Sequence, residues 1–321
     1  MSKVVCGVVL LACLFAPGAK AAETYPARPV KIISPFAAGG ATDAVARLVA
    51  AGLSDELKQA FIVEDKPGAG GSLGTALVAK SKPDGYTLGV ASLGTVVVSP
   101  LLMKLSYDPA TELVPVINVA LSPNVLLIND LLPVDSFPAF VAYAKANPGK
   151  IRFASSGVGA TNHIFCETIS AYAGIEMTHV PYKGSAPALV DLMGGQLEAM
   201  CDVSSALQYV REGKLKALAV GAPARLKGFP SVPTMAELGI GQANFSAWYG
   251  IVAPAGTPDS VVKMLNEKIN GILRTDRARQ ALASIDAQPI GGSPADFAQT
   301  IRTNSADIGE VIRIRKIRVE Q

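Results

Sequence analysis

Twice in this chain a short apolar strand runs into a glycine-rich loop and then opens a helix, a unit that belongs to layered α/β folds. The first copy is Val30-Lys31-Ile32-Ile33-Ser34 followed by Pro35-Phe36-Ala37-Ala38-Gly39-Gly40-Ala41-Thr42-Asp43. The second is Ile151-Arg152-Phe153-Ala154 followed by Ser155-Ser156-Gly157-Val158-Gly159-Ala160-Thr161-Asn162. Neither loop contains Lys or Arg. Glycine lets the backbone turn sharply and lets a ligand come close. The free N–H groups of a helix start, backed by the positive end of the helix dipole, attract an anion. Two such ends suggest a clamp on a small carboxylate. The plainer alternative is that Gly39, Gly40, Gly157 and Gly159 only permit tight strand-to-helix turns.

The same alternation continues along the chain and predicts mostly parallel sheets covered by helices. Val30 to Ser34 leads to the amphipathic stretch Thr42 to Leu57. Phe61 to Glu64 leads through Pro67-Gly68-Ala69-Gly70-Gly71 to Ser72 to Lys80, and Thr87 to Ala91 leads to Thr95 to Met103. Thr42 and Ser72 are expected N-caps. Two apolar runs, Asn124 to Ile128 and Ser246 to Ala253, are each able to carry the chain from one lobe to another. Between them lie a helix from Ser136 to Ala146, the second glycine loop with its helix, a strand at Met177 to Val180 and a helix from Ser185 to Met193. Strands at Leu197 to Val203 and Leu215 to Val220 follow. Beyond Ala253 the pattern is helical, to Arg274, near Arg277 to Ile285 and from Pro294, so this segment is expected to complete the first lobe. The expected domains are 22–123 with 247–321, and an inserted 124–246, leaving a cleft where the two loops face each other.

The N-terminus carries Lys3, the apolar run Val4 to Phe15 and then Ala19-Lys20-Ala21, the layout of a secretory leader over residues 1–21. Its apolar run falls well short of the ~20 residues a membrane-spanning helix needs. The expected location is therefore the periplasm. A competing reading takes Leu10-Leu11-Ala12-Cys13 as a lipobox with Cys13 lipidated, although Leu11 suits its position poorly. The chain holds 29 Lys and Arg against 26 Asp and Glu. Lys3 and Lys20 leave with the leader, so the mature net charge is +1, and no basic run is interleaved with aromatics. Nucleic acid is not an expected partner. The one local exception is the tail from Arg313 to Arg318, read as a solvated helix end or edge strand, with a membrane-surface contact as the alternative. Cys166 and Cys201 remain in a chain exported to an oxidising compartment, which allows one disulfide or two buried thiols. No metal site or cofactor is expected. There is no Cys-x-x-Cys, and His163 and His179 stand sixteen residues apart without carboxylates at ligand spacing.

Nine short strings in order carry a family resemblance. They are Tyr25-Pro26-x-Arg28-Pro29, Pro35-Phe36-x-x-Gly39-Gly40-x-x-Asp43, Pro67-Gly68-Ala69-Gly70-Gly71 and Pro83-Asp84-Gly85-Tyr86-Thr87-Leu88. Then come Val180-Pro181-Tyr182-Lys183-Gly184, Gly194-Gly195-Gln196, Gly213-Lys214-Leu215-Lys216-Ala217-Leu218-Ala219, Val232-Pro233-Thr234 and Ala253-Pro254-Ala255-Gly256-Thr257-Pro258. Over nearly its whole mature length the chain resembles the periplasmic solute receptors of tripartite tricarboxylate transporters, the Bug family. The resemblance implies a type II periplasmic-binding fold, two Rossmann-like lobes joined by two crossover strands around a central cleft. It also implies a monomer that binds a small carboxylate through backbone groups and ordered water and hands it to membrane subunits of a transporter. By position, the carboxylate would meet Phe36, Ala37, Gly39, Gly40 and Thr42 in the first loop and the amides of Ser155, Gly157, Gly159 and Thr161 in the second. Ser92 and Thr95 would be side-chain donors, and Asp202 would meet the distal end of the ligand. Cys201 matches a family Cys, and Cys166 sits within a residue of its partner in some members. Ala38 stands where Pro is common, Val203-Ser204-Ser205 where Asn or Gln and Thr often follow the Asp, and a Trp often found near Ile308 is absent.

Several of these residues also have a structural reading. Asp43 is expected to stabilise the first turn of its helix, His163 to be a hydrogen-bonded structural residue, Asp202 to cap or anchor a turn, and Trp248 to pack at a crossover strand, with aromatic contact with a ligand as the alternative for Trp248. Two rival functions remain. Gly70-Gly71-Ser72-Leu73-Gly74 satisfies the G-x-S-x-G pattern of a hydrolase elbow with Ser72 as nucleophile. Against it, Asp65-Lys66-Pro67-Gly68 breaks the preceding strand, and no His follows His179 to complete a triad. The other rival is a receptor that presents its ligand-bound form to a membrane sensor, which would use the same hinge closure.

Overall fold

The computed structural model describes residues 25–182, 185–203, 206–243 and 245–318. The expected leader, Cys6, Cys13, Ser204 and Ser205 lie outside them. The strands are β1 (Val30–Ser34), β2 (Phe61–Asp65), β3 (Thr87–Ser92), β4 (Leu113–Asn129), β5 (Ile151–Ser155), β6 (Met177–Pro181), β7 (Ala199–Val203), β8 (Leu215–Gly221), β9 (Ser246–Pro254) and β10 (Gln288–Gly291). The helices are α1 (Ala41–Leu57), α2 (Ser72–Ala79), α3 (Ser99–Leu102), α4 (Pro109–Glu112), α5 (Phe137–Ala146), α6 (Thr161–Ala173), α7 (Ser185–Met193), α8 (Leu207–Arg211), α9 (Asp259–Leu273), α10 (Asp276–Ala283) and α11 (Pro294–Arg315).

One long strand joins two halves of the sheet. Residues Leu113 to Pro123 of β4 pair with β9, which pairs with β3 in the order β2-β1-β3-β9-β4. Residues Asn124 to Asn129 of the same strand lie between β7 and β8, and β7 continues through β5 to β6. β1 runs parallel to β2 and β3, and β5 parallel to β6 and β7, so the loops that follow β1, β3, β5 and β7 all leave carboxyl ends of strands. The sequence reading confined this crossover to Asn124–Ile128. The strand starts at Leu113, and Pro115 is accommodated where the register with β9 shifts, so the missing N–H breaks no regular ladder.

Burial follows the strand period. In β4, Leu126 and Ile128 join a core with Phe140, Phe153 and Phe165, while Val125 and Leu127 point to the other face among Leu192, Met200 and Val220. In the first half, Ile32, Leu88 and Ile251 pack with Val49 and Leu53 of α1 and Leu265 and Ile269 of α9. Cys166 of α6 and Cys201 of β7 are joined by a disulfide.

Three local expectations are corrected. Thr42 and Ser72 do not cap their helices: the N-caps are Gly40 and Gly71, and neither helix start has a side-chain cap. Gly40 is extended at φ −86° and ψ 174°, so α1 begins at Ala41 and Thr42 already lies inside its first turn. The helix expected from Thr95 to Met103 is a π-helical turn over Gly94–Val98 that continues into α3. The basic tail is the end of α11, as one reading had it, but not all of it is solvated. The Arg315 Nε–H donates to Glu167 Oε2 of α6 at 2.8 Å, which ties the last helix to the second half of the molecule.

Candidate functional site

The carboxyl ends of β1, β3, β5 and β7 surround a cavity of about 690 Å3, the position where open α/β sheets bind ligands. No Lys, Arg or His lines it among the described residues. Eight residues proposed from sequence form its wall: Phe36, Gly40, Thr42, Ser92, Gly157, Gly159, Thr161 and Asp202. Ala37, Gly39, Thr95 and Ser155 do not. Gly39 gives its N–H to Asp43 Oδ2 at 2.8 Å, and the fully buried Thr95 exchanges hydrogen bonds with Ser92. The buried Ser155 Oγ lies 2.7 Å from His179 Nε2 and accepts the Gly157 N–H at 3.1 Å.

The two loops present their helix starts to this cavity. Gly39 (φ +87°) and Gly159 (φ +79°) both occupy the left-handed region that only glycine enters without strain. Each is followed by an extended N-cap, Gly40 or Ala160, with no side-chain cap. The capping oxygens that satisfy Ala278 of α10 and Asp296 of α11, supplied by Thr275 and Ser293, have no counterpart here. Among the described residues no protein acceptor takes the N–H of Ala41 or Thr42 in α1, nor that of Thr161 or Asn162 in α6. Uncapped helix starts that open on one cavity offer an anion both hydrogen-bond donors and favourable dipole ends.

The N–H groups of Ser156, Gly157, Gly159 and Ala160 in the second loop are spent internally. Gly159 donates to His163 Nδ1 at 3.1 Å, Ser156 to Asn162 Oδ1 at 3.3 Å and Ala160 to Gly157 O at 3.2 Å. The expectation that the Gly159 amide faces the ligand is therefore corrected: that donor is engaged inside the loop. His163 keeps its structural, hydrogen-bonded reading.

Asp202, at the end of β7, supplies the only carboxylate of the wall among the described residues and is 4% exposed. Its Oδ1 accepts the Ser185 hydroxyl at 3.0 Å and the Val203 N–H at 2.9 Å. Burial pushes its pKa up to about 6, against the opposing pull of the Val203 N–H, the Ser185 hydroxyl and the Asn162 amide. Tyr249 of β9 also lines the cavity, and its hydroxyl is pushed up to about 12 by burial and by the charge of Asp202. Trp248 reaches the wall but donates its indole N–H to Asn304 Oδ1 at 2.8 Å and packs edge-on to Phe297, as a structural residue would.

Sequence reasoning missed Gly70, Met103, Ser185 and Tyr249. Ser185 had a usable signal, since it opens α7 and a polar residue at a helix start after a loop is a ready donor. Met103 and Tyr249 had none.

A hydrolase elbow is not formed around Ser72. The preceding strand ends at Asp65, a 3₁₀ turn over Ala69–Gly71 intervenes, and Ser72 sits in the first turn of α2. Both histidines lie behind the second loop, engaged with Gly159 and Ser155.

Residues 45–317 match the model of the tripartite tricarboxylate transporter family receptor. Protein BugT of Bordetella pertussis is 40% identical over 280 residues, covering 85% of each chain. Among solved structures, R. palustris Rpa4515 with adipate superposes with a TM-score of 0.81 at 35% identity, covering 92% of this chain and 99% of that one. MatC (Rpa3494) from Rhodopseudomonas palustris with bound malate gives 0.78 at 33% identity, covering 90% and 100%.

Proposed function

The chain belongs to the tripartite tricarboxylate transporter receptor family, and we propose that it captures a small aliphatic carboxylate in its cleft and delivers it to membrane subunits of such a transporter. The observation that carries this reading is the pair of uncapped helix starts, α1 and α6, opening on one cavity that no cationic side chain lines among the described residues. A carboxylate accepts hydrogen bonds from oriented N–H groups and from hydroxyls and needs no Arg to be held. The bound adipate and malate of the two similar structures belong to the same chemical class.

In this reading the ligand carboxylate engages the N–H groups of Ala41 and Thr42 first, with Ser92 as a hydroxyl donor. The lobe of 124–246 then closes on the lobe of 22–123 and 247–321, bringing the Thr161 and Asn162 amides to complete the shell. Closure is a population shift driven by contacts that only the closed form makes. Asp202 faces the remainder of the ligand and selects for a hydroxyl, an amine or, in its protonated form, a second carboxylate. The protein works as a monomeric binder without turnover, exported to the periplasm by residues 1–21.

Thermal unfolding of the mature chain against mono-, di- and tricarboxylates, amino acids and aromatic acids tests this. A ligand at 100 times its dissociation constant adds about 2.7 kcal/mol, a shift of a few degrees for a chain of this size. The expected result is stabilisation by one class of aliphatic acid. Stabilisation by none of them would remove the receptor reading of this cleft.

A further inference from the structure

The chain has only two histidines, and the fold stacks them directly behind the second loop. His163, in the first turn of α6, and His179, on β6, lie with ring centroids 4.0 Å apart and planes 17° from parallel. Phe153 of β5, opposite His179 in the strand register, stacks on that ring at 4.9 Å. Each imidazole holds a different glycine of the loop. His163 Nδ1 accepts the Gly159 N–H at 3.1 Å, and His179 Nε2 lies 2.7 Å from Ser155 Oγ, the oxygen that accepts the Gly157 N–H at 3.1 Å.

We propose that His163 and His179 are positioning residues that, as a stacked neutral pair, fix the two glycines of the second loop and thereby aim the free amides of Thr161 and Asn162 into the cleft. This rests on the reading of that cleft as a carboxylate site. The hydrogen bond to His163 requires a lone pair on Nδ1, which an imidazolium lacks, so the ring serves the loop only while neutral and with its proton on Nε2. The surroundings keep it so. Burial holds both rings well below the ordinary histidine value, at about 3 for His163 and about 4 for His179, and a second charge at stacking distance would be repelled. One carboxylate approaches: Glu167 Oε1 lies 3.9 Å from His163 Nε2. Its other oxygen is held by Arg315 of α11 at 2.8 Å, so that cation, and not a proton on His163, compensates it. Glu167, Arg315 and His179 are the charged and titratable groups that contact His163 or its carboxylate neighbour among the described residues.

A merely structural pair would only need its rings, whereas a positioning pair needs its nitrogens. His163→Phe keeps a flat ring and loses the acceptor, while His163→Asn places an amide oxygen near the Nδ1 position. His179→Phe and His179→Gln make the same contrast at Nε2. Amide hydrogen exchange over 155–162 in the ligand-free protein is the first readout. His163→Phe should exchange at least about tenfold faster there than wild type, and His163→Asn within about threefold of it. Binding of the acid that stabilises wild type, malate and adipate being the first probes, should follow the same order at equal melting temperature. Unchanged exchange in His163→Phe, or equal loosening in the Asn and Phe variants, overturns the proposal. Exchange needs no ligand, so failure of every acid to bind would remove the receptor reading and still leave the positioning of the loop decided. If His163→Phe does not fold, Arg315→Met replaces it. With Glu167 uncompensated, the loop should loosen at a higher pH than in wild type, and an unmoved pH midpoint overturns the proposal.

Discussion

The two glycine loops use one backbone device with two kinds of support. In each, a left-handed glycine gives its N–H to the side chain four residues on, the third residue of the following helix: Gly39 to Asp43 in the first loop, Gly159 to His163 in the second. The Asp43 carboxylate is ionised. Burial would raise its pKa, but the Gly39 N–H and the Arg47 guanidinium together hold it below the usual carboxylate range. His163 carries no charge at all. The shared geometry shows that the turn requires an acceptor at that helix position, and the difference shows that the acceptor's charge is free to vary. A carboxylate there suits the helix dipole but opposes an incoming anion, and Arg47, 2.7 Å from Asp43 Oδ1, offsets that opposition. The loops differ in internal bonding as well. Residues 37–40 of the first are exposed, with only the Gly39 amide tied to a side chain, whereas Ser156, Gly157, Gly159 and Ala160 of the second are all engaged before any ligand arrives.

The comparison breaks most visibly if the glycines are made equal. A Cβ at Gly39 meets nothing within 4 Å, so Gly39→Ala carries only the left-handed penalty of about 1–2 kcal/mol. A Cβ at Gly159 carries the same penalty and also comes within 3.0 Å of Leu102 Cδ1, across the cleft on α3. Titration calorimetry should show Gly159→Ala binding the cognate acid at least about tenfold more weakly than Gly39→Ala does. Equal losses would mean that Gly159 does not approach Leu102 in the bound form.

Acid separates the supports next. His163 and His179 are neutral when folded and take up protons near the ordinary value of 6.5 when unfolded. The stability they contribute is present above 6.5 and is lost as pH falls toward about 4 and about 3. Asp202 acts with the opposite sign. Its folded value of about 6 exceeds its ordinary 3.8, so its contribution is present below 3.8 and is lost as pH rises through 6. The two histidine shifts outweigh it, and the melting temperature of wild type should fall by several degrees between pH 6.5 and 4. In His163→Asn with His179→Gln the carboxyls of Asp202 and Asp286, both raised by burial, act in that window without the opposing histidines, so the melting temperature should rise slightly between pH 6.5 and 5. A wild-type fall retained in the double variant would assign the acid sensitivity elsewhere.

Most of the architecture was legible because burial imposes periods: the two-residue alternation of β4 and the strand-loop-helix units need no tertiary information to be seen. What escaped depended on partners distant in sequence. The full length of β4 escaped because the register shift that accommodates Pro115 depends on its pairing with β9. The resemblance puts the Ser155 amide and the Thr95 hydroxyl at the ligand because one lies in the second glycine loop and the other just past a strand end. Only the positions of His179 and Ser92 reveal that the Ser155 and Thr95 hydroxyls are spent. Arg315 read as solvated tail because its carboxylate is on a helix in the other half of the molecule. The disulfide joins residues 35 apart, and spacing alone could not choose between it and two buried thiols.

Within the cleft, Asp202 sharpens the comparison from the ligand's side. Between pH 7 and 5.5 it passes from mostly ionised to mostly protonated, removing the one negative charge of the wall among the described residues. A dicarboxylate should bind about threefold more tightly at the lower pH, and Asp202→Asn should bind it equally at both. An amine-bearing acid should show the reverse trend. A dependence that survives in Asp202→Asn would place the titrating group outside the wall.

The smallest effect returns to the first loop. Asp43→Asn retains an oxygen that can accept the Gly39 N–H, so the turn should persist, while the charge beside the anion site disappears. Arg47, left with Asp65 at 3.5 Å as its remaining carboxylate partner, then contributes a less compensated positive field to the ligand. Two consequences of opposite sign follow. Stability should drop by roughly 1 kcal/mol as the charged hydrogen bond becomes a neutral one. Carboxylate affinity should rise about twofold, an increase that added salt should diminish because Arg47 is largely exposed. Loss of affinity together with stability would show that the first loop needs the charge of Asp43 to hold its shape, and the two supports would then differ in kind and not merely in charge.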